Sequence, residues 1–292
     1  MHVLFVSGSR TVVGVVASGA LLAFTLLVPQ RTHAESTSPE PSPTSETTEA
    51  QSQSAFDDPL APNLWAVVEN EHTQSISGPA NLVNLQAQIP LGIAPPLADI
   101  VSEGEPLSLL NVKLPIVTNT TQNTGIDAAA GTGDLALTWL TRSGRARRRW
   151  AVGAYFSFPT ASGSVGSGKW SGGPAIGYTN QRGNTTFGFY VRNLFSVAGN
   201  GARTNVAQTQ FFPLIAIYLG KGWSIGNSEM KFSYNYVTGN FDSIPVGIRI
   251  RKRGLFGRRR FSAYFEVERN LATSGGTTWT TRLGLKWVLF RY

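Results

Sequence analysis

The chain has 292 residues, of which 41% are hydrophobic and 14% charged, with a formal net charge of +8 and no cysteine. The missing cysteine excludes a disulfide framework, a thiol nucleophile and a cysteine-linked lipid anchor. Beyond residue 62 no stretch approaches the roughly 18 consecutive apolar residues that a membrane helix requires, so a helical membrane protein is excluded as well.

Residues 1–34 carry no acidic residue, an early Arg10, an apolar run from Thr11 to Pro29, and then Thr32-His33-Ala34, with small residues where signal peptidase needs them. This is the pattern of a secretory signal peptide, cleaved and read by the general secretory route. Residues 35–62, ESTSPEPSPTSETTEAQSQSAFDDPLAP, hold six acids and no Lys or Arg. Such a segment buries too little apolar surface to offset its ordering entropy, and the expectation is a disordered acidic linker rich in Pro, Ser and Thr.

From residue 63 onward hydrophobicity alternates with a period of two. LVNLQAQIPL at 82–91 sets Val83, Leu85, Ala87 and Ile89 against Asn84, Gln86 and Gln88. In WAVGAYFSF at 150–158, Trp150, Val152, Ala154, Phe156 and Phe158 oppose Gly153, Tyr155 and Ser157. RFSAYFEVE at 260–268 sets Phe261, Ala263, Phe265 and Val267 against Ser262, Tyr264, Glu266 and Glu268. Similar segments begin near 81, 107, 131, 150, 172, 185, 208, 222, 244, 258 and 278, with a weaker one, NLWAVVENEH, at 63. Segment 208–220 departs from the pattern, because both its faces are apolar and Pro213 interrupts it.

Alternation alone leaves open which face points inward: a soluble sandwich buries the apolar face, whereas a membrane barrel turns it to lipid. Three features favour the membrane. Strands of about ten residues behind an export signal suit a closed transmembrane barrel, the only sheet that satisfies every backbone group in lipid. The chain ends LKWVLFRY, with Phe290 and terminal Tyr292 placed as in the C-terminal assembly signal of Gram-negative outer-membrane barrels. Counted back from a periplasmic C-terminus, links also alternate between short (QRGN at 181–184, GKG at 220–222) and long (159–171, 196–205). The link at 92–106 is long for the short side. The expected fold is all-β, an antiparallel transmembrane β-barrel of about 12 strands over 63–292, in the outer membrane of a Gram-negative-type bacterium.

Charge is concentrated. From residue 63 there are 23 basic and 11 acidic residues, and the surplus lies in two clusters, Arg142 to Arg149 and Arg249 to Arg260. Basic runs suggest nucleic acid, but no aromatic platform interleaves them and an exported chain does not meet it. The expected partners are outer-membrane lipid headgroups, the barrel-assembly machinery through Phe290 and Tyr292, and a small-molecule solute; no nucleic acid is expected. On the polar faces, Lys113, Arg192, Lys231, Arg249, Arg251, Arg282 and Lys286 stand against Asp134, Glu266 and Glu268 as candidate lumen-lining residues, a net positive set. His72 is the lone histidine after the signal peptide, no Gly-x-Ser-x-Gly elbow occurs, and no metal-ligand spacing is present, so neither catalytic residues nor a cofactor is expected.

GSVGSGKW at 163–170 is one residue short of a nucleotide-binding P-loop. Trp170 stands where a hydroxyl should ligate magnesium, and SGGPAIGYTNQRG, which follows, begins no helix. Instead, GTGDLALTWL at 131–140, RWAVGAYFSFPTA at 149–161, GSGKWSGGPA at 166–175 and NLFSVAG at 193–199 resemble the bacterial family labelled as the meta-pathway of phenol degradation. QTQFFPLIAIYLGKGW at 208–223 and SIPVGIRIRKRGLFGRRRFSAYFEVERN at 243–270 follow in the same order. In that resemblance Gly166, Gly168, Lys169 and Trp170 form a signature loop returning to a strand at 172–180. The resemblance covers about residue 80 to the end and implies an exported barrel acting as an outer-membrane transporter or channel; it supplies no catalytic residues. The function expected is passage of small solutes, aromatic or anionic compounds among them, with a non-transport structural or surface-interaction barrel as the alternative.

Overall fold

In the computed structural model the described residues are 58–75, 78–91, 107–120, 130–143, 147–162, 165–256, 259–271 and 278–291. The signal-peptide and most of the linker segments, and Tyr292, lie outside them. Among the described residues, fifteen strand segments form one antiparallel sheet. They are β1 (Asn63–Ser75), β2 (Gly78–Leu91), β3 (Leu107–Thr120), β4 (Gly131–Thr132), β5 (Leu135–Ser143), β6 (Arg148–Phe158), β7 (Lys169–Arg182), β8 (Thr185–Gly199), β9 (Ala207–Gly220), β10 (Trp223–Asn227), β11 (Phe232–Asn235), β12 (Asn240–Ser243), β13 (Pro245–Phe256), β14 (Arg259–Asn270) and β15 (Thr278–Arg291).

Sequential neighbours pair around the sheet. β1 then pairs with β15, and β9 with β10, so no edge remains and the sheet is a closed barrel. Its wall has twelve positions, because β4 extends the β5 position beside β3, β10 and β11 share one position beside β9, and β12 continues into β13. The weak segment at 63 is a full strand of 13 residues. Its register with β15 runs from Asn63↔Arg291 to Gln74↔Trp279, placing both chain ends of the barrel at the end with tight links. There the β7–β8 link is residues 183–184 and the β9–β10 link residues 221–222, the latter with Lys221 at φ 48° and Gly222 at φ 78°. This is the turn end; the opposite, loop end carries the links at 159–168 and 200–206.

The polar face of the alternating strands points in. On β2, Asn84 and Gln88 are buried while Leu85 is exposed; on β14, Ser262, Tyr264, Glu266 and Glu268 are buried while Phe265 is exposed. Burying charge and exposing phenylalanine is the reverse of a water-soluble core, and it is what a barrel surrounded by hydrocarbon requires. Outward tryptophans stand near both rims: Trp150 and Trp223 toward the turn end, Trp170 and Trp279 toward the loop end. Such girdles place amphipathic rings at the two membrane interfaces. β9 shows why one segment broke the alternation. Its inner face carries Phe212 and Leu214, so the lumen has an apolar wall, and Pro213, which cannot donate to a ladder, falls beside the only interruption in the neighbouring strand position among the described residues.

Candidate functional site: the barrel lumen

The lumen holds a cavity of about 300 Å³ lined from nearly every wall position. Basic lining side chains are Lys113, Arg192, Arg249, Arg251 and Lys286; acidic ones are Glu69 and Glu229. Rings and aliphatic groups complete it, among them Trp65, Val67, Leu140, Tyr155, Tyr190, Phe212 and Tyr264. Cations lie on rings: Arg192 sits 4.0 Å from the Tyr155 centroid and 5.1 Å from that of Phe212, Lys286 4.3 Å from Trp65, and Arg249 and Arg251 each 5.2 Å from Tyr264. A cation over a ring face is attracted by the ring quadrupole, which offsets part of the water it sheds on burial.

One arc of the wall is a lattice of ion pairs. Arg282 on β15 meets Glu71 on β1 at 3.0 Å, Glu266 at 3.4 Å and Glu268 at 3.3 Å, and Arg249 pairs with Glu266. Tyr264 donates to Glu69 at 2.7 Å, and Asn84 donates to Glu69 at 3.1 Å. Each buried carboxylate therefore has several donors, the condition under which charges survive away from water. The sequence map of seven bases against three acids needs correction here, because it omitted Glu69, Glu71 and Glu229. The first two stand on β1, whose inward face mixes Trp65 and Val67 with its acids, so it lacks the alternation that reveals a lumen face; Glu229 lies on no strand. With these acids counted, the seven bases of that map face six acids, a smaller excess than the sequence alone indicates.

Asp134 has a different role from the other candidates. It accepts from the Ser167 amide at 2.7 Å and hydroxyl at 2.6 Å and from the Ala161 amide at 3.3 Å, folding the β6–β7 link rather than presenting charge to the lumen. The signature residues divide accordingly. A Cβ on Gly166 would overlap Ala161 and Asp134, and Gly168 takes φ 65°, so both glycines are required by the fold of the link. The strand begins at Lys169, three residues earlier than the expected 172. Lys169 is buried on the inner face, while Trp170 points outward and meets the Phe158 ring edge-on at 5.3 Å. A strand follows Lys169 where a P-loop needs a helix.

At the turn end the lumen is filled by the chain itself. Asp58, Leu60 and Ala61, expected to close the disordered linker, are almost wholly buried. Leu60 packs with Leu109, Leu140, Ala151 and Ala175. Asp58 pairs with Arg149, Arg142 donates to the Leu60 carbonyl at 3.3 Å, and Gln88 donates to the Ala61 and Asn63 carbonyls at 2.7 and 3.1 Å. The basic clusters are thus split by strand alternation: Arg149, Arg251 and Arg253 are buried inside, whereas Arg147, Arg148 and Arg259 are exposed, so only part of each cluster is available to headgroups. His72 bonds Asn81 at 2.7 Å through Nδ1.

No family model matches the sequence, and no curated protein matches it. Among solved structures, an outer membrane channel from Pseudomonas putida F1 is similar with a TM-score of 0.57 at 13% identity, covering 85% of this chain and 99% of that one. The outer membrane phospholipase A of Escherichia coli gives 0.45 at 11% identity over 79% of this chain and 93% of its own, too distant to bear on activity. The first likeness is one of fold: this chain shares the barrel architecture of that channel.

Proposed function

We propose that the protein is an outer-membrane channel that passes small solutes and favours anions, those with an aromatic or otherwise apolar body above all. The observation that carries the reading is the lumenal cavity, where Arg192 is held between two rings beside Lys113 and a wall of Phe212, Leu214 and Tyr190. Arg192 is held in place by its Nε bond to Gln210 at 2.8 Å, so an arriving carboxylate meets a preorganised guanidinium. In a narrow low-dielectric passage fixed charge acts on ions with little screening. The outward apolar face and tryptophan girdles support residence in a membrane, and the fold likeness to a bacterial outer-membrane channel and the resemblance to the phenol meta-pathway family agree with it. Residues 1–34 would then be the export signal, and Phe290 with Tyr292 the segment read by the assembly machinery.

Reversal potentials of the purified protein in planar bilayers under a KCl gradient test the reading. Anion preference is expected, reduced in Arg192→Gln; cation preference overturns it. The seating of Asp58–Ala61 in the turn end favours one second reading, a closed barrel that presents its loops to a partner. Liposomes that fail to swell with any small solute, both for the whole protein and for a Leu60→Ser variant with the segment loosened, would select it.

A further inference from the structure

The ninth wall position is interrupted, and the interruption points into the lumen. β9 pairs with β10 as far as Ala216↔Gly226 and resumes with β11 at Phe211↔Phe232. Residues 212–215 therefore lie opposite 227–231, one residue more on the broken side, which is the arithmetic of a bulge. The Asn227 side chain takes over the lost ladder, accepting from the Ile215 amide at 2.5 Å and donating to the Pro213 carbonyl at 2.8 Å. The displaced backbone passes over β13 to reach β14: Ser228 Oγ donates to Glu268 at 2.8 Å, the Glu229 amide to Glu266 at 3.1 Å, and the Met230 amide to Glu268 at 3.0 Å. Two features make the detour possible. Gly247 lies beneath it, where a Cβ would collide with Ser228, and Met230 adopts a left-handed φ of 42°. Two carboxylates at the wall thus serve as a clamp on main-chain amides, and they leave the Glu229 side chain facing the cavity.

Across the cavity stands Lys113. It is on β3, the third of the twelve wall positions, six places from the β10–β11 position and so diametrically opposite. Lys113 and Glu229 both line the lumenal cavity, one from each side. The detour that bonds the Glu229 and Met230 amides to Glu266 and Glu268 carries the Glu229 side chain off the wall and into that cavity. Resting on the channel reading above, we propose that Glu229 is the selectivity-determining residue of the passage: carried inward on the strand break and set across the cavity from Lys113, it offsets the basic lining there and limits how strongly anions are favoured.

The test pairs a selectivity measurement with one that does not need conduction. In planar bilayers under a KCl gradient, Glu229→Gln is expected to raise the anion-to-cation permeability ratio by roughly tenfold, the low end of what a focused field does to local ion concentration. Lys113→Gln should lower it, and Glu229→Asp, which keeps the charge on the clamped backbone, should leave it near the native value. Unfolding midpoints of the native protein, the two Gln variants and their combination in detergent measure the contact itself. The combined loss should be smaller than the sum of the single losses, as it is for groups that interact. Conducting pores whose reversal potential is unmoved by Glu229→Gln overturn the proposal and leave the channel standing. Additive losses overturn the cross-lumen contact. A native protein that conducts nothing, with coupled losses, overturns the selectivity role through the failure of the channel reading while keeping the contact.

Discussion

The lumen is obstructed at two levels in opposite ways. At the turn end the obstruction is an apolar seat with one ion pair, Leu60 against Leu109, Leu140, Ala151 and Ala175, fixed by Asp58 and Arg149. Midway it is a charged clamp, Glu266 and Glu268 holding the amides of Glu229 and Met230 among Arg249 and Arg282. The seat is contributed by a segment that precedes the first strand and is bonded into no ladder, so it can leave without breaking the wall. The clamp is part of the wall, and removing any member leaves other buried charges uncompensated. Undoing the seat breaks one buried ion pair and the packing of one leucine, whereas each carboxylate of the lattice is shared among several donors, so that breaking one contact disturbs the rest.

The comparison is broken most directly at Glu266, which is fully buried and shared by Arg249 and Arg282. Glu266→Gln should cost about 3–5 kcal/mol, as expected when one partner of a buried pair is removed, read as a fall in the unfolding midpoint of the whole barrel. A loss below about 1 kcal/mol would show that the lattice is hydrated and that the contrast is false. Leu60→Ser comes next. It should cost the seating of residues 58–61 about 1.5–3 kcal/mol, the value of burying one such side chain, seen as proteolysis before Asn63 and raised conductance, with the barrel midpoint unchanged. A parallel fall in the barrel midpoint would mean that the segment is part of the wall's stability after all.

The loop end sharpens the contrast because it is held by neither device. Gly166→Ala would press a methyl onto Ala161 and Asp134, an overpacking of about 1–3 kcal/mol confined to the link at 159–168, so hydrogen exchange at the Ser167 amide should rise while lumen conductance stays native. Trp170→Ala should have the smallest effect, about 0.5–1.5 kcal/mol for its ring contact with Phe158. A larger loss would indicate anchoring at the membrane interface, measurable as a dependence of stability on bilayer thickness.

The sequence by itself determined the strand positions and which side chains share a face, because a period of two is a local property: Ser262, Tyr264, Glu266 and Glu268 share one face whatever surrounds them. It also determined that the apolar face must meet something other than water. Only the tertiary structure decided that β1 closes on β15, that Asp58–Ala61 enters the turn end, and that residues 228–231 leave the wall. These depend on contacts between residues far apart in sequence, such as Asp58 with Arg149 and Glu229 with Glu266. The segment 58–61 reads as linker because its composition is that of one, and it becomes ordered through a single leucine and an aspartate that find a cavity and an arginine. At 227–231 one extra residue shifts the inward face by one position, and nothing in a local pattern records that shift, since it is set by how Pro213 and Gly247 on the neighbouring strands accommodate it.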